Sequence, residues 1–102
     1  MKIEFLYFDD CPSYQTAEKL LREVLAEENQ SAEIEKIRIE TETDALCWHF
    51  VGSPTIRLNG IDPFTEGEID YGLECRVFHT PDGLRGWPTK EMLRTALRDL
   101  AE

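Results

Sequence analysis

The hydrophobic pattern of the first forty residues predicts a strand, a helix and a second strand. Residues 3–8, IEFLYF, carry apolar side chains on both faces, which is typical of a strand buried on both sides. Over residues 14–25, apolar side chains recur at three- and four-residue spacings, which predicts an amphipathic helix of about four turns. Residues 33–40 alternate between polar and apolar and predict the second strand.

The remainder of the chain predicts two more strands and two more helices. The short helix begins at Thr41 or Thr43, and Thr89 is the predicted N-cap of the last helix. An Asn-Gly pair ends the third strand, and Pro-Asp-Gly stops the fourth. In chain order the elements are a helix over 41–50, a strand over 55–59, an acidic loop over 61–74, a strand over 75–80 and a helix over 88–102.

The predicted order βαβαββα specifies a fold class. The first βαβ unit implies parallel strands one and two, and the hairpin-like pair of strands three and four would run antiparallel. We therefore expect one α/β domain over residues 1–102, with a four-stranded mixed sheet flanked by three helices.

Composition and charge exclude several classes of protein. The 102 residues are 41% hydrophobic and 31% charged, which is typical of a folded chain rather than a disordered one. Lys and Arg total 11 against 21 Asp and Glu, so the net charge of −10 disfavours binding to nucleic acid or to an anionic membrane. No signal peptide or membrane-spanning stretch is recognisable, so we expect a cytoplasmic location.

The cysteine content favours a chemical role for cysteine over structural cross-linking. The chain has three cysteines, Cys11, Cys47 and Cys75, an odd number that is sparse for a disulfide scaffold. In a reducing cytosol all three would normally be thiols. A cysteine that matters here is therefore expected to act through reactivity or metal binding.

Cys11 lies where the first strand gives way to the first helix. The unpaired N–H groups and the positive end of the dipole at a helix start favour a thiolate and lower the pKa of a cysteine. Pro12 suits the first helical position, where a missing N–H costs nothing. Asp9 and Asp10 oppose this effect, because nearby negative charge raises a thiol pKa. Cys11 is thus a candidate nucleophile, and the sequence does not determine whether its pKa is raised or lowered.

Two motifs and the element order resemble the thioredoxin fold over nearly the whole chain. They are Cys11-Pro12-Ser13-Tyr14 at the active-site position and Pro54 of GSPTI at the position of a conserved cis-proline. The stretches DCP, GSPTI, NGIDPF, CRVF and GLRG.P further resemble a group of small bacterial thioredoxin-family proteins of poorly defined function. In that group cysteines match Cys11 and Cys75, and nothing requires one at Cys47.

The resemblance implies a thiol–disulfide oxidoreductase with Cys11 as nucleophile. It implies a cis bond before Pro54 and a free backbone at Ser53 that pairs with an extended substrate. The candidate partner is a protein or small-molecule thiol or disulfide, glutathione included; no cofactor and no metal is expected. The candidate site residues are Cys11 and Cys75 as the reacting pair, with Pro12, Tyr14, Ser53 and Pro54 as substrate-binding residues.

Tyr14 departs from the dithiol pattern Cys-x-x-Cys, because it occupies the position of the second cysteine. Three routes remain open: resolution by an external thiol, resolution by Cys75, or no redox turnover. Tyr14 itself falls on the apolar stripe of the helix and is expected to line the core or a pocket wall.

The predicted strand register argues against a Cys11–Cys75 contact. If Cys75 begins a strand antiparallel to the third, an offset of four residues separates the thiols by about 13 Å, and a disulfide needs Cα atoms within about 7 Å. Cys75 is then a buried strand residue, unless the long acidic loop 61–74 alters its path.

Other functions stay open at this point. Cys11 and Cys75 are candidate thiolates for a soft metal ion, and the domain is also a candidate redox-silent adaptor. A zinc site is disfavoured, because the spacings within the pairs Cys47/His49 and Cys75/His79 hold the side chains of each pair apart. The acidic loop is a solvated surface or a lid that selects cationic or neutral partners.

Overall fold

The order of elements follows the hydrophobic pattern in the computed structural model, which describes residues 1–64 and 72–101. The strands are β1 (Lys2–Tyr7), β2 (Glu33–Arg38), β3 (Thr55–Leu58), β4 (Phe78–Thr80) and β5 (Gly83–Arg85). The helices are α1 (Ser13–Glu27), α2 (Glu42–Trp48) and α3 (Lys90–Ala101). Within the described ranges, no helix is long and apolar enough to cross a membrane.

Strand β1 lies at the centre of the main sheet, as its two apolar faces predicted. It pairs in parallel with β2 and antiparallel with β3, so the strand order is β2-β1-β3. Ile3 and Phe5 belong to the larger hydrophobic cluster, and Leu6 belongs to a second cluster. Because neighbouring residues of a strand point to opposite faces, β1 joins the two halves of the core.

The helices cover the two faces of the sheet unequally. Helices α1 and α3 pack together on the face of the larger cluster, to which α1 contributes Ala17, Leu21, Val24 and Leu25. Helix α2 contributes Ala45 to the smaller cluster, which it shares with Leu6, Ile39 and Phe50. All of these side chains are at most 7% exposed, so the apolar stripes read from the sequence are the buried faces.

The predicted helix and turn signals are confirmed at three positions. Thr41 Oγ1 accepts a hydrogen bond from the Asp44 backbone N–H at 3.0 Å, which caps α2. Thr89 Oγ1 accepts from the Met92 N–H at 3.1 Å and caps α3. Asn59 and Gly60 both have positive φ and form the turn that ends β3.

The fourth strand differs from the sequence expectation. The sequence predicted one four-stranded sheet, whereas the described residues form a three-stranded sheet and a separate β4–β5 hairpin. Gly83, with φ of 98°, lets the chain reverse after Pro-Asp, and Thr80 Oγ1 donates to the Gly83 carbonyl at 2.6 Å. The chain after the turn therefore supplies a partner strand that the sequence did not predict. Of the acidic loop 61–74, residues 65–71 lie outside the described residues.

Ion pairs join α1 to α3 on the surface. Lys90 Nζ donates to Glu27 Oε2 at 2.6 Å and also pairs with Glu23 at 3.2 Å. Arg94 reaches Glu27 at 2.9 Å, and Arg98 reaches Glu28 at 2.6 Å. The hydrogen bond from Lys90 holds the pKa of Glu27 below its ordinary value. The same hydrogen bond raises the pKa of Lys90 above its ordinary value.

The lowered pKa of Glu27 predicts a pH dependence of stability. Such a carboxyl stabilises the fold above its unfolded-state pKa, 4.5, and this contribution is lost as the pH falls through the lower folded-state value. Below pH 4.5, we expect the free energy of unfolding, measured by urea titration, to fall more steeply with decreasing pH in the wild type than in Glu27→Gln. Glu33→Gln on β2, outside this ion-pair set, is the control. Equal steepness in Glu27→Gln and the wild type would contradict the assignment.

Candidate functional site

Cys11 occupies a tight connection between β1 and α1. Its backbone N–H donates to the Phe8 carbonyl at 3.0 Å, which closes a turn over Asp9 and Asp10. Pro12 follows with φ of −67° and stands one position before the first helical residue, Ser13, rather than inside the helix. Cys11 is 1% exposed, so the turn places its sulfur inside the protein at the start of α1.

Cys11 and Cys75 form a disulfide bond. Their Cα atoms are 5.8 Å apart although 64 positions separate them in the sequence. The expected separation of about 13 Å is therefore wrong, and so is the expectation that Cys75 is buried, because it is exposed. Cys75 precedes β4 and lies in residues 74–76, here called the docking segment, which pairs with Ser53 instead of extending a strand beside β3.

Two backbone hydrogen bonds fasten the docking segment to Ser53. The Ser53 N–H donates to the Glu74 carbonyl at 2.8 Å, and the Arg76 N–H donates to the Ser53 carbonyl at 2.9 Å. The same carbonyl oxygen lies 3.8 Å from Cys11 Sγ, and Ser53 Oγ accepts from the Phe8 N–H at 3.0 Å. Ser53 thus touches both halves of the disulfide, and its backbone groups, predicted to pair with a substrate, are occupied by the chain itself.

Pro54 lies directly beyond this contact. The Ser53–Pro54 peptide bond is cis, as the resemblance implied, and Pro54 is buried at the start of β3. The structure therefore brings Cys11, Cys75, Ser53 and Pro54 together at the end of the main sheet.

Gly52 permits the docking segment to approach. Its φ is +117°, a conformation that other residues rarely adopt. A Cβ at this position would lie 3.0 Å from Arg76 Cβ and 3.2 Å from Arg76 Cα, closer than ordinary contact. Both the conformation and the limited space at residue 52 therefore favour glycine while residues 74–76 are docked.

A buried ion pair holds the other side of the docking segment. Arg76 Nη1 donates to Asp62 Oδ2 at 2.7 Å and Nη2 to Oδ1 at 3.3 Å, and the two side chains are 8% and 11% exposed. Asp62 Oδ1 also accepts from the Phe64 N–H at 2.8 Å, and the guanidinium carbon lies 4.5 Å from the centre of the Phe78 ring. This bidentate pair fixes Arg76, and through it the adjacent Cys75.

Tyr14 belongs to a different cluster from the disulfide. Its ring stacks on Tyr7 with centroids 4.6 Å apart, and its hydroxyl donates to Asp9 Oδ1 at 3.2 Å. Lys36 Nζ lies over both rings, and the hydrogen bond from Lys36 to Glu18 raises the pKa of Lys36. Tyr14 is half-buried here, in agreement with a packing role; none of these contacts gives it a substrate-binding one.

Cys47 takes no part in the site. It is exposed on α2 and carries a free thiol. Among residues 1–64 and 72–101, no three His, Cys, Asp or Glu side chains are grouped as metal ligands. Cys75, one member of the zinc set considered from sequence, is committed to the disulfide.

The sequence analysis missed three residues that build this site: Gly52, Asp62 and Arg76. Gly52 was visible as the residue before Ser53-Pro54, but only the fold shows its positive φ and the close approach of Arg76. Asp62 is one acid among many in an acidic stretch, and only the fold shows which of them meets an arginine.

A disulfide that closes so long a loop also contributes to stability. In the chain-entropy account, cross-linking residues 64 positions apart stabilises a fold by roughly 4 kcal/mol. The protein with this disulfide intact is therefore expected to be more stable than the protein with the disulfide reduced.

Comparison with family models, with curated proteins and with solved structures gave no match.

Asp62→Asn tests the importance of the buried ion pair. The substitution leaves the Arg76 guanidinium buried without its counter-charge, and we expect a loss of about 3 kcal/mol in the free energy of unfolding. Glu35→Gln breaks the exposed pair with Lys2 and should cost less than about 1 kcal/mol. Urea titrations of the oxidised proteins give both values, and equal losses would show that the Arg76–Asp62 pair has no special role.

Proposed function

We propose that this protein is a thiol–disulfide oxidoreductase whose redox pair is Cys11 and Cys75. One observation carries the proposal: two cysteines far apart in the sequence, one of them at the start of a helix, lie at disulfide distance beside Ser53. Of the three routes left open by the sequence, resolution within the Cys11–Cys75 pair is the one that this arrangement favours, because the second thiol of the pair can displace the partner from a mixed disulfide without an external thiol.

The thioredoxin-like fold is part of the same proposal. The central β1, the parallel β2, the antiparallel β3 and the start of α1 after β1 support it. A Ser-Pro at the start of β3, next to the cysteine that precedes α1, supports it further. The fourth strand of such a sheet is not among the described pairings, and the four-stranded form stays a prediction.

The proposed reaction transfers two electrons between the protein and a partner. The reduced protein attacks a partner disulfide and forms a mixed disulfide, with one partner thiol released. Its second thiolate then displaces the other partner thiol, which leaves the partner as a dithiol and the protein as the Cys11–Cys75 disulfide. A reducing thiol, protein or small molecule, returns the protein to the dithiol. The cytoplasm, with its glutathione pool, is the proposed setting.

Serine variants test this function. With dithiothreitol as reductant and a glutathionylated peptide as substrate, we expect wild type and Cys47→Ser to accelerate peptide reduction. Cys11→Ser and Cys75→Ser should each lose at least about tenfold in rate, because each lacks half of the exchanging pair. Cys47→Ser is the matched control, since it also removes one thiol. If neither the Cys11 nor the Cys75 variant slows the reaction relative to the wild type, the proposed function is wrong.

The proximity of the two sulfurs also favours a second candidate function, the capture of a soft metal ion. Two neighbouring thiolates are suitable ligands for mercuric or cuprous ions. Titration of the reduced protein with mercuric ion should then be stoichiometric and should protect both Cys11 and Cys75 from alkylation. Retained binding in either serine variant would count against it.

A further inference from the structure

The two cysteines of the disulfide are not equally exposed. Cys11 is 1% exposed, enclosed by the turn from Phe8, the start of α1 and the Ser53 carbonyl. Cys75 is exposed and lies in the docking segment after Glu74, which is exposed too. An incoming thiolate must reach one of these sulfurs in line with the S–S bond, and access is one of the factors that decide which.

The leaving group favours the same direction of attack. When a thiolate attacks Cys75 Sγ, the electron pair of the S–S bond goes to Cys11 Sγ. That sulfur lies just before the fifteen-residue helix α1, whose N-terminal N–H groups and dipole stabilise negative charge. Attack at Cys11 would instead require entry into the interior and would expel a thiolate at Cys75, which is not next to a helix start.

We propose that Cys75 is the cysteine that exchanges with external thiols and disulfides, and that Cys11 is the buried resolving thiol. This inference rests on the proposed function and reverses the roles that the sequence predicted. In the reducing direction, the Cys75 thiolate attacks the partner disulfide and the partner releases one thiolate. The Cys11 thiolate then attacks Cys75 Sγ, re-forms the Cys11–Cys75 bond and expels the second partner thiolate, so that the protein loses two electrons and the partner gains them.

The docking segment keeps these roles distinct in the reduced protein. Apart from the disulfide, it is held by the two hydrogen bonds to Ser53 and by the buried Arg76–Asp62 pair. The Gly72 N–H adds a hydrogen bond to the Phe50 carbonyl at 3.2 Å just ahead of it. None of these contacts depends on the S–S bond. Reduction therefore leaves Cys75 at the surface and Cys11 covered beneath it.

The geometry also limits what the Ser53 backbone can do. In thiol exchange at Cys75, the partner has no need to pair with Ser53, because residues 74–76 already use its N–H and C=O groups. The surface thiol suits partners that present an exposed disulfide or thiol, and the protein's own segment takes the place of the extended substrate expected at Ser53.

The order of attack is tested on the oxidised wild-type protein. It is treated briefly with limiting β-mercaptoethanol, quenched with acid, and alkylated with N-ethylmaleimide in guanidinium chloride at acidic pH. Peptide mass spectrometry then locates both labels. We expect β-mercaptoethanol on Cys75 and N-ethylmaleimide on Cys11. The adduct predominantly on Cys11 would overturn the inference while leaving the proposed function intact. A disulfide that reacts only after unfolding would overturn both.

Two serine variants provide an independent measurement in the reduced state. Oxidised β-mercaptoethanol should modify Cys75 in Cys11→Ser at a rate close to that of Cys47, the exposed thiol present in the same molecule. In Cys75→Ser, Cys11 should react at least about tenfold more slowly than Cys47, because it stays covered. Far-UV circular dichroism confirms that each variant is folded. A Cys11 that reacts as fast as Cys47 in folded Cys75→Ser would refute the assignment.

Discussion

The two backbone hydrogen bonds between Ser53 and the docking segment determine the distance between Cys11 and Cys75. Ser53 is fully buried and receives the Phe8 N–H from the turn that carries Cys11, so its position is fixed from the β1 side. Contacts with Ser53 on one side and with Asp62 on the other hold residues 74–76 in position. The pairing of Cys11 with Cys75 rests on this contact, which a glycine at position 52 favours.

This arrangement differs in principle from a dithiol site built within one helical turn. There, local helix geometry alone brings two cysteines together. Here the second cysteine comes from a segment 64 positions away, held by a salt bridge and by main-chain pairing. Because these contacts involve no sulfur atom, we expect them to hold the two thiols close after reduction, and a high effective concentration then favours re-formation of the disulfide.

Neither cysteine of the disulfide belongs to the two hydrophobic clusters. The larger hydrophobic cluster lies between α1, α3 and one face of the sheet, and surface ion pairs connect the same two helices. The disulfide lies at the end of the sheet, where β1 passes into α1 and β3 begins. Cys75 therefore lies on a short surface segment and belongs to neither hydrophobic cluster.

Elements whose signals are local could be predicted from the amino-acid sequence. The two apolar faces of β1, the stripes of α1 and α3, and the caps at Thr41 and Thr89 were all read correctly, because side-chain spacing and capping act within a few residues. The placement of Cys11 before a helix also followed from local signals.

The contact between Cys75 and Cys11, by contrast, depends on long-range packing. The sequence placed Cys75 at the start of a fourth strand and so too far from Cys11, whereas β4 begins three residues later and pairs with β5. The register of a short segment that follows a long loop is not set by its own pattern of apolar residues. It is set here by Gly52, Ser53 and Asp62, residues distant in the sequence whose contacts with positions 74–76 exist only in the folded chain.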